Sequence, residues 1–176
     1  MSKLVVIAFG GNALLRKGGG VDYAAQKENV AQICATLEGM AREGVRMIIG
    51  HGNGPQVGNV LLQHEAGRKV SGVEAMPLDF CVAETQGSLG YMIECGMRNM
   101  MAERGIERGV VALLSQVVVD ENDKAFQNPT KPIGPYFTEE EAKHFAETKG
   151  ETYHCDAKRG GWRKVVASPT PLAIHN

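Results

Sequence analysis

Two glycine-rich stretches carry the groups in this sequence best suited to bind an anion, GGN at 10–12 and HGNGPQVG at 51–58. A glycine-rich turn that enters a helix leaves backbone N–H groups at the positive end of the helix dipole, which suits phosphate or carboxylate. Asn53 and Gln56 could add side-chain amide donors. A tight reversal of the chain would also explain either stretch alone, so the argument depends on the two occurring together.

Lys131 is the third candidate. It lies between Pro129 and Pro132, and flanking prolines restrict the backbone, which reduces the entropy lost in presenting a charge. Two facing anion sites and a lysine suit phosphoryl transfer, because that reaction needs positioning and charge stabilisation more than a covalent nucleophile. The competing interpretation of Lys131 is a solvated loop lysine.

The elements expected around the two glycine stretches place them side by side. An apolar run at 4–9 precedes the first stretch, and a shorter one at 45–49 precedes the second. Runs of this kind are typical of strands buried in a parallel sheet, and Pro55 suits the first turn of a following helix. Both stretches should therefore open at the carboxyl edge of one sheet, where ligands bind in open α/β folds.

The rest of the first 119 residues alternates between helical and strand patterns. Apolar spacing predicts a helix from Asp22 towards Gly44, one after Pro55 that ends at Gly67, and one from about Pro77 to Arg104. VVALLSQVVV at 110–119 predicts a third strand of the same sheet. This alternation predicts an α/β protein with a mainly parallel sheet.

The pattern changes after residue 119. Three prolines fall within 129–135, a capping box at 138–141 opens a short helix, and 152–154 can pair with 162–166 as a hairpin. We interpret 1–119 as an α/β lobe that binds the substrate and phosphoryl group, 120–164 as an inserted, protruding subdomain and 165–176 as a connector.

Composition argues against several classes of function. The net charge of −1, from 19 basic and 20 acidic residues, provides no electrostatic footprint for nucleic acid or an anionic membrane. The run at 4–9 is too short for a signal peptide and no run reaches a membrane span, so a cytoplasmic location is the default. The four cysteines contain no C-x-x-C pair and the five histidines no ligand-spaced cluster, so no metal site is predicted.

Two familiar phosphate-binding motifs do not fit. The Walker pattern fails at GNALLRK, because Arg16 stands at the second glycine and Gly18 at the hydroxyl residue. The dinucleotide pattern G-x-G-x-x-G nearly occurs in GNGPQVG, but Gly58 comes one residue late. A nicotinamide enzyme is therefore a weak alternative.

An ordered set of motifs resembles the carbamate kinases, and the resemblance covers essentially the whole chain. The fold it implies is that of the amino acid kinases, a three-layer αβα sandwich, typically in a homodimer. The activity it implies is reversible phosphoryl transfer between ATP and carbamate, giving ADP and carbamoyl phosphate, commonly in arginine fermentation. The motifs are IAFGGNALL at 7–15, HGNGPQVG at 51–58, AETQGSLGY at 83–91, LLSQVVVD at 113–120, NPTKPIGP at 128–135 and GGWRKVVASPTP at 160–171.

The first glycine stretch would then hold the transferring phosphoryl group. The resemblance assigns Gly11 and Asn12 to catalysis and Gly10 to substrate binding. Lys131 is the implied catalytic cation. Related kinases of this fold usually carry a lysine two residues before the glycine pair, where this chain has Ala8, and Lys131 would supply that charge.

The second glycine stretch would bind the carbamate end through Gly52, Asn53 and Gly54. The neighbouring AETQG segment is open to two interpretations, a contribution to the site or simple packing of its helix. Packing is the more common explanation for such a segment.

Carbamate kinases are nearly twice as long as this chain, and their second half carries most of the ATP and Mg²⁺ contacts. We therefore expect a truncated or split form, with a separate nucleotide-binding chain as one option, that does not turn over alone. A noncatalytic α/β module that binds small anions is the alternative. Titration with ATP and carbamoyl phosphate separates the two.

Overall fold

The structure is a computed structural model that describes residues 3–10, 14, 22–157 and 160–176. Contacts divide the chain into two compact units. The first contains the described residues up to Val60 and Met76–Leu114, and the second contains Leu61–Ala75 and Ser115–Asn176. Helices and strands alternate along the chain, which confirms the α/β class.

The first unit contains two parallel strands, and one face of each is exposed. Strands β1 (Leu4–Phe9) and β2 (Arg46–His51) pair in register, from Leu4 opposite Arg46 to Phe9 opposite His51. The carboxyl ends of both strands therefore meet at one edge, as the sequence predicted for the two glycine stretches.

Four helices accompany these strands. Asp22 caps the first of them by accepting a hydrogen bond from the Ala25 N–H over 2.8 Å. The helix predicted from Asp22 towards Gly44 is interrupted at Leu37, which serves as C-cap of one helix and N-cap of the next. The helices are α1 (Tyr23–Thr36), α2 (Glu38–Arg42), α3 (Gly54–Ser71) and α4 (Leu78–Glu103). The sequence predicts that the helix after Pro55 ends at Gly67. That end is wrong, because α3 continues to Ser71 and so enters the second unit.

The core of the first unit forms where α4 packs on α1. The predicted apolar stripe of α4 is buried, with Leu89 and Met97 each 2% exposed. A Cβ at Gly96 would lie 2.9 Å from Cys34 Sγ and 3.0 Å from Val30 Cγ1, so the glycine permits the close approach of the two helices. Cys34 is fully buried in this core, and burial raises the pKa of its thiol to about 11.

The second unit contains a three-stranded antiparallel sheet and a helix that contacts it. The strand order is β4 (Lys131–Phe137), β6 (Gly161–Val166) and β5 (Thr152–Asp156), so the predicted hairpin is confirmed. Helix α5 (Glu139–Lys149) starts at the predicted capping box, in which Thr138 and Glu141 bond reciprocally. A short 3-10 helix, Lys124–Phe126, precedes the sheet.

The third predicted strand forms only in part. Residues 110–115 are not a strand, and β3 (Gln116–Val119) pairs antiparallel with β7 (Pro171–His175) rather than with the first sheet. In 110–112 the Ala112 N–H donates to Glu94 over 3.0 Å and the Val110 carbonyl accepts from Arg98. Side chains of α4 thus form hydrogen bonds with backbone groups that would otherwise pair with a neighbouring strand.

Two further expectations change. Among the described residues only β1 and β2 pair in parallel, so the prediction of a mainly parallel sheet is wrong for this part of the chain. Residues 171–175, predicted to belong to a connector, form β7. The functional division into lobe, protruding subdomain and connector stays a prediction. None of the described helices is long and apolar enough to cross a membrane.

Candidate functional site

The ends of β1 and β2 are joined by a hydrogen bond. The Gly52 N–H donates to the Phe9 carbonyl over 2.8 Å, which holds the start of the second glycine stretch against the residue before Gly10. Gly52 therefore serves to position the loop, because its N–H is already used. Gly10 is exposed directly beyond Phe9, whereas Gly11 and Asn12 lie outside the described residues.

Helix α3 begins inside the second glycine stretch. The Val57 N–H donates to the Asn53 carbonyl over 2.9 Å, which closes the first turn and leaves the N–H groups of Gly54 and Gln56 without an intrahelical acceptor. Pro55 has no N–H to leave unpaired. The start of α3 can therefore offer two backbone donors and the positive end of its dipole to an anion.

Glycine at two site positions is not explained by packing. A Cβ on Gly10 or Gly54 would meet no described atom within 4 Å, and neither residue has a positive φ. Packing among the described residues thus requires no glycine at these positions. A ligand that approaches the backbone closely would require one, because a side chain would occupy its place.

The side chain of Asn53 is held from α4. Its Nδ2 donates to Thr85 Oγ1 over 2.8 Å, while the Thr85 hydroxyl donates to the Val82 carbonyl over 2.7 Å. The second hydroxyl bond leaves Thr85 Oγ1 as an acceptor, which fixes the Asn53 amide in place. Thr85 lies in the AETQG segment that the sequence left open between packing and the site, and it supports the site by positioning Asn53.

Gln56 has a different role from the one predicted. It is 5% exposed, and its Nε2 donates to Gln26 Oε1 over 3.2 Å, which ties α3 to α1. Its side chain is therefore turned to the interior, which does not favour the predicted role of its amide as a donor for an anion. Only its backbone N–H is left for that purpose.

Lys131 is the first residue of β4 and lies opposite Val166 on β6. It is exposed, and it belongs to the second unit, whereas the glycine stretches belong to the first. Its approach to the glycine stretches stays a prediction.

The described residues do not form a site for Mg²⁺. The glycine stretches offer N–H donors, whereas Mg²⁺ requires oxygen ligands. No group of three or more His, Cys, Asp or Glu residues in the described part of the chain is placed to hold a metal ion.

The chain is similar to known proteins of one family. The model of the amino acid kinase family matches residues 3–139. A carbamate kinase of Pyrococcus horikoshii is 46% identical over 171 residues, which cover 97% of this chain and 54% of the relative. Carbamate kinase 1 of Enterococcus faecium is 49% identical over 175 residues, which cover 99% and 55%.

The fold of the chain is also similar to that of a solved carbamate kinase structure. Carbamate kinase from Giardia lamblia bound to AMP-PNP superposes with a TM-score of 0.87 at 42% identity, covering 98% of this chain and 54% of that one. The chain thus spans about half the length of the curated relatives it matches.

Proposed function

Because the chain belongs to the amino acid kinase family, we propose that it forms the part of a carbamate kinase that binds carbamate and the transferred phosphoryl group. The reaction is reversible phosphoryl transfer between ATP and carbamate, which gives ADP and carbamoyl phosphate. The observation that carries the proposal is the edge where β1 and β2 end together and α3 begins. Identity of 46–49% to carbamate kinases over nearly the whole chain supports the choice of substrate.

The residues of the second glycine stretch hold the carbamate end. The free N–H groups of Gly54 and Gln56 bind the oxygens of carbamate. Thr85 holds the side-chain amide of Asn53 by a hydrogen bond. Gly52 fixes the loop against Phe9. These donors are in place before the ligand binds. Fixed donors of this kind need no reorganisation when charge develops during the reaction.

Gly10, Gly11 and Asn12 line the transferring phosphoryl group, and Lys131 neutralises the charge that develops on it. Gly10 is exposed and no described atom lies within 4 Å of a Cβ built on it, which fits a close approach by a phosphate. The exposure of Lys131 is consistent with a lysine that reaches a ligand rather than a structural ion pair.

The remaining parts of the proposal follow from the family. ATP supplies the phosphoryl group, and the AMP-PNP complex of the Giardia lamblia relative supports nucleotide use. Mg²⁺, a homodimer, a nucleotide-binding lobe in the same or a separate chain, arginine metabolism and a cytoplasmic location are proposed on the resemblance alone. We propose that this chain by itself does not turn over.

Calorimetric titration tests the function against its alternative, a noncatalytic module that binds small anions. We expect carbamoyl phosphate to bind the 176-residue chain weakly but saturably, and ATP to bind more weakly still. Saturable binding of inorganic sulfate that is as tight as that of carbamoyl phosphate would favour the module. Rapid formation of ATP from ADP and carbamoyl phosphate by this chain alone would contradict the proposed division of the site.

A further inference from the structure

The second unit contains a cavity of about 170 Å³ that has no part in the proposed reaction. The second half of α3 forms one wall, and strands β4 to β6 with α5 form the others. Its apolar lining includes Leu61, Pro135, Phe137, Phe145 and Tyr153. All of these residues belong to the same unit.

Three rings give the cavity a firm aromatic wall. The Phe137 ring makes edge contacts with Phe145 at 5.7 Å and with Tyr153 at 5.4 Å between centroids. Lys149 Nζ lies 4.6 Å from the centre of the Phe145 ring. These contacts fix the rings, so the wall is largely formed before any ligand arrives.

Among the described residues that line the cavity, one cation takes part in no ion pair. Glu65 pairs with Lys149 at 3.2 Å and with Arg68 at 2.5 Å, and Glu151 pairs with Lys164 at 2.6 Å. Hydrogen bonds from Arg68 hold the pKa of Glu65 at about 2, so its carboxylate is charged at neutral pH.

The cation outside these ion pairs is Lys69, which lines the cavity and is exposed. None of the ion pairs among the described residues includes Lys69. Glu141 interacts electrostatically with Lys69. That carboxylate, however, accepts hydrogen bonds from the backbone N–H and the hydroxyl of Thr138 at the start of α5. Lys69 is thus available to an anion at the mouth of the cavity.

We propose that this cavity binds a small organic carboxylate whose body is a single aromatic ring or a branched alkyl group. The apolar walls take the body and Lys69 takes the carboxylate. The cavity volume of about 170 Å³ indicates the size of the ligand, because cavities of about 150 Å³ hold one benzene ring. The site lies beside Gly134 and Pro135 of β4, the strand that begins at Lys131.

Benzoate and benzyl alcohol test the proposal, since they share a ring and differ in charge. Both are titrated into the ¹⁵N-labelled full chain, and amide shifts are followed by NMR. We expect saturable shifts at Leu61, Lys69 and Gly134, with benzoate binding about threefold more tightly than the alcohol, as one exposed charge contact allows. No saturable shift at these amides, or equal affinity for the two ligands, overturns the proposal.

Variants of Lys69 test the charge contact itself. Lys69→Met should weaken benzoate about threefold and leave benzyl alcohol unchanged, whereas Lys69→Arg should retain benzoate binding. Lys124→Met is the matched control, because Lys124 is an exposed lysine of the same unit that does not line the cavity. Unchanged benzoate affinity in Lys69→Met, or an equal loss in the control, contradicts the assignment. These shifts are read without any turnover, so the result is independent of the proposed kinase reaction.

Discussion

The side-chain amide of Asn53 donates to the hydroxyl of Thr85 over 2.8 Å and so joins the loop after β2 to the middle of α4. Thr85 is 1% exposed, so its hydroxyl is shielded from solvent. The loop that we assign to carbamate is thus supported by a helix 32 residues further along the chain.

Replacement of Thr85 by valine tests that support. Thr85→Val keeps the shape of the side chain but removes the acceptor for Asn53, and we expect a loss of about 1 kcal/mol in the free energy of unfolding. Binding of carbamoyl phosphate should weaken as well, since Asn53 is no longer held. Thr36→Val is the control, because the exposed Thr36 hydroxyl makes a comparable bond to the Ile33 carbonyl at 2.6 Å away from the site. Urea unfolding of both variants would refute the idea if their losses were equal.

Lys131 carries the proposed catalytic charge. In a catalytically active carbamate kinase that contains this sequence, we expect Lys131→Ala to lower kcat about a hundredfold or more, from a loss of roughly 3 kcal/mol of transition-state stabilisation. Lys124→Ala, which removes another exposed lysine of the same unit, should leave kcat nearly unchanged. A near-normal rate for Lys131→Ala contradicts the assignment.

Two glycines of α4 should respond oppositely to a methyl group. Gly96→Ala places a Cβ 2.9 Å from Cys34 Sγ, and we expect it to destabilise the fold by about 1–3 kcal/mol. Gly87→Ala meets nothing within 4 Å and should be neutral or stabilise by up to about 1 kcal/mol. Thermal unfolding of the two variants decides the matter, and similar Tm values would show that α1 and α4 do not pack as described.

Glu65 makes the stability of the second unit depend on pH. Its pKa is lowered from 4.5 to about 2, first by the hydrogen bond from Arg68, so its stabilising contribution is present above about pH 4.5 and is lost as the pH falls towards 2. With solvent screening we expect about 1 kcal/mol. Glu65→Gln should therefore destabilise the chain at pH 7 but not at pH 2.5, in urea unfolding at both pH values.

A control substitution separates this effect from general loss of charge. In the described part of the chain Glu139 pairs only with Lys143, and both side chains are more than half exposed. Glu139→Gln should change the free energy of unfolding by less than about 0.5 kcal/mol at either pH. An equal pH dependence in both variants would count against a special role for Glu65.

Local patterns predicted much of the fold. The capping box at Thr138 and the apolar stripe of α4 depend on residues close in sequence, and both form as expected. The two strands before the glycine stretches also pair as predicted, because apolar runs followed by glycine are typical of parallel strands.

Pairing between distant segments was not predictable in the same way. The partner of β3 is β7, more than 50 residues later, and no local period indicates which strand will pair with it. The Thr85 hydroxyl and the Gln26 amide likewise reach the second glycine stretch only through folding. A polar residue within an apolar stripe, as at Thr85, was the one local sign that α4 serves more than packing.

Binding of carbamoyl phosphate at the start of α3 is the central claim, and Gly54→Ala tests it most directly. A Cβ there meets no described atom within 4 Å, so the free energy of unfolding should be unchanged or raised by up to about 1 kcal/mol. Amide shifts of the full chain during titration with fresh carbamoyl phosphate are the measurement. The account predicts saturable shifts at Gly10, Asn53 and Gly54 that are lost in the folded Gly54→Ala variant. Undiminished binding by that variant, or saturable shifts confined to other residues, would contradict it.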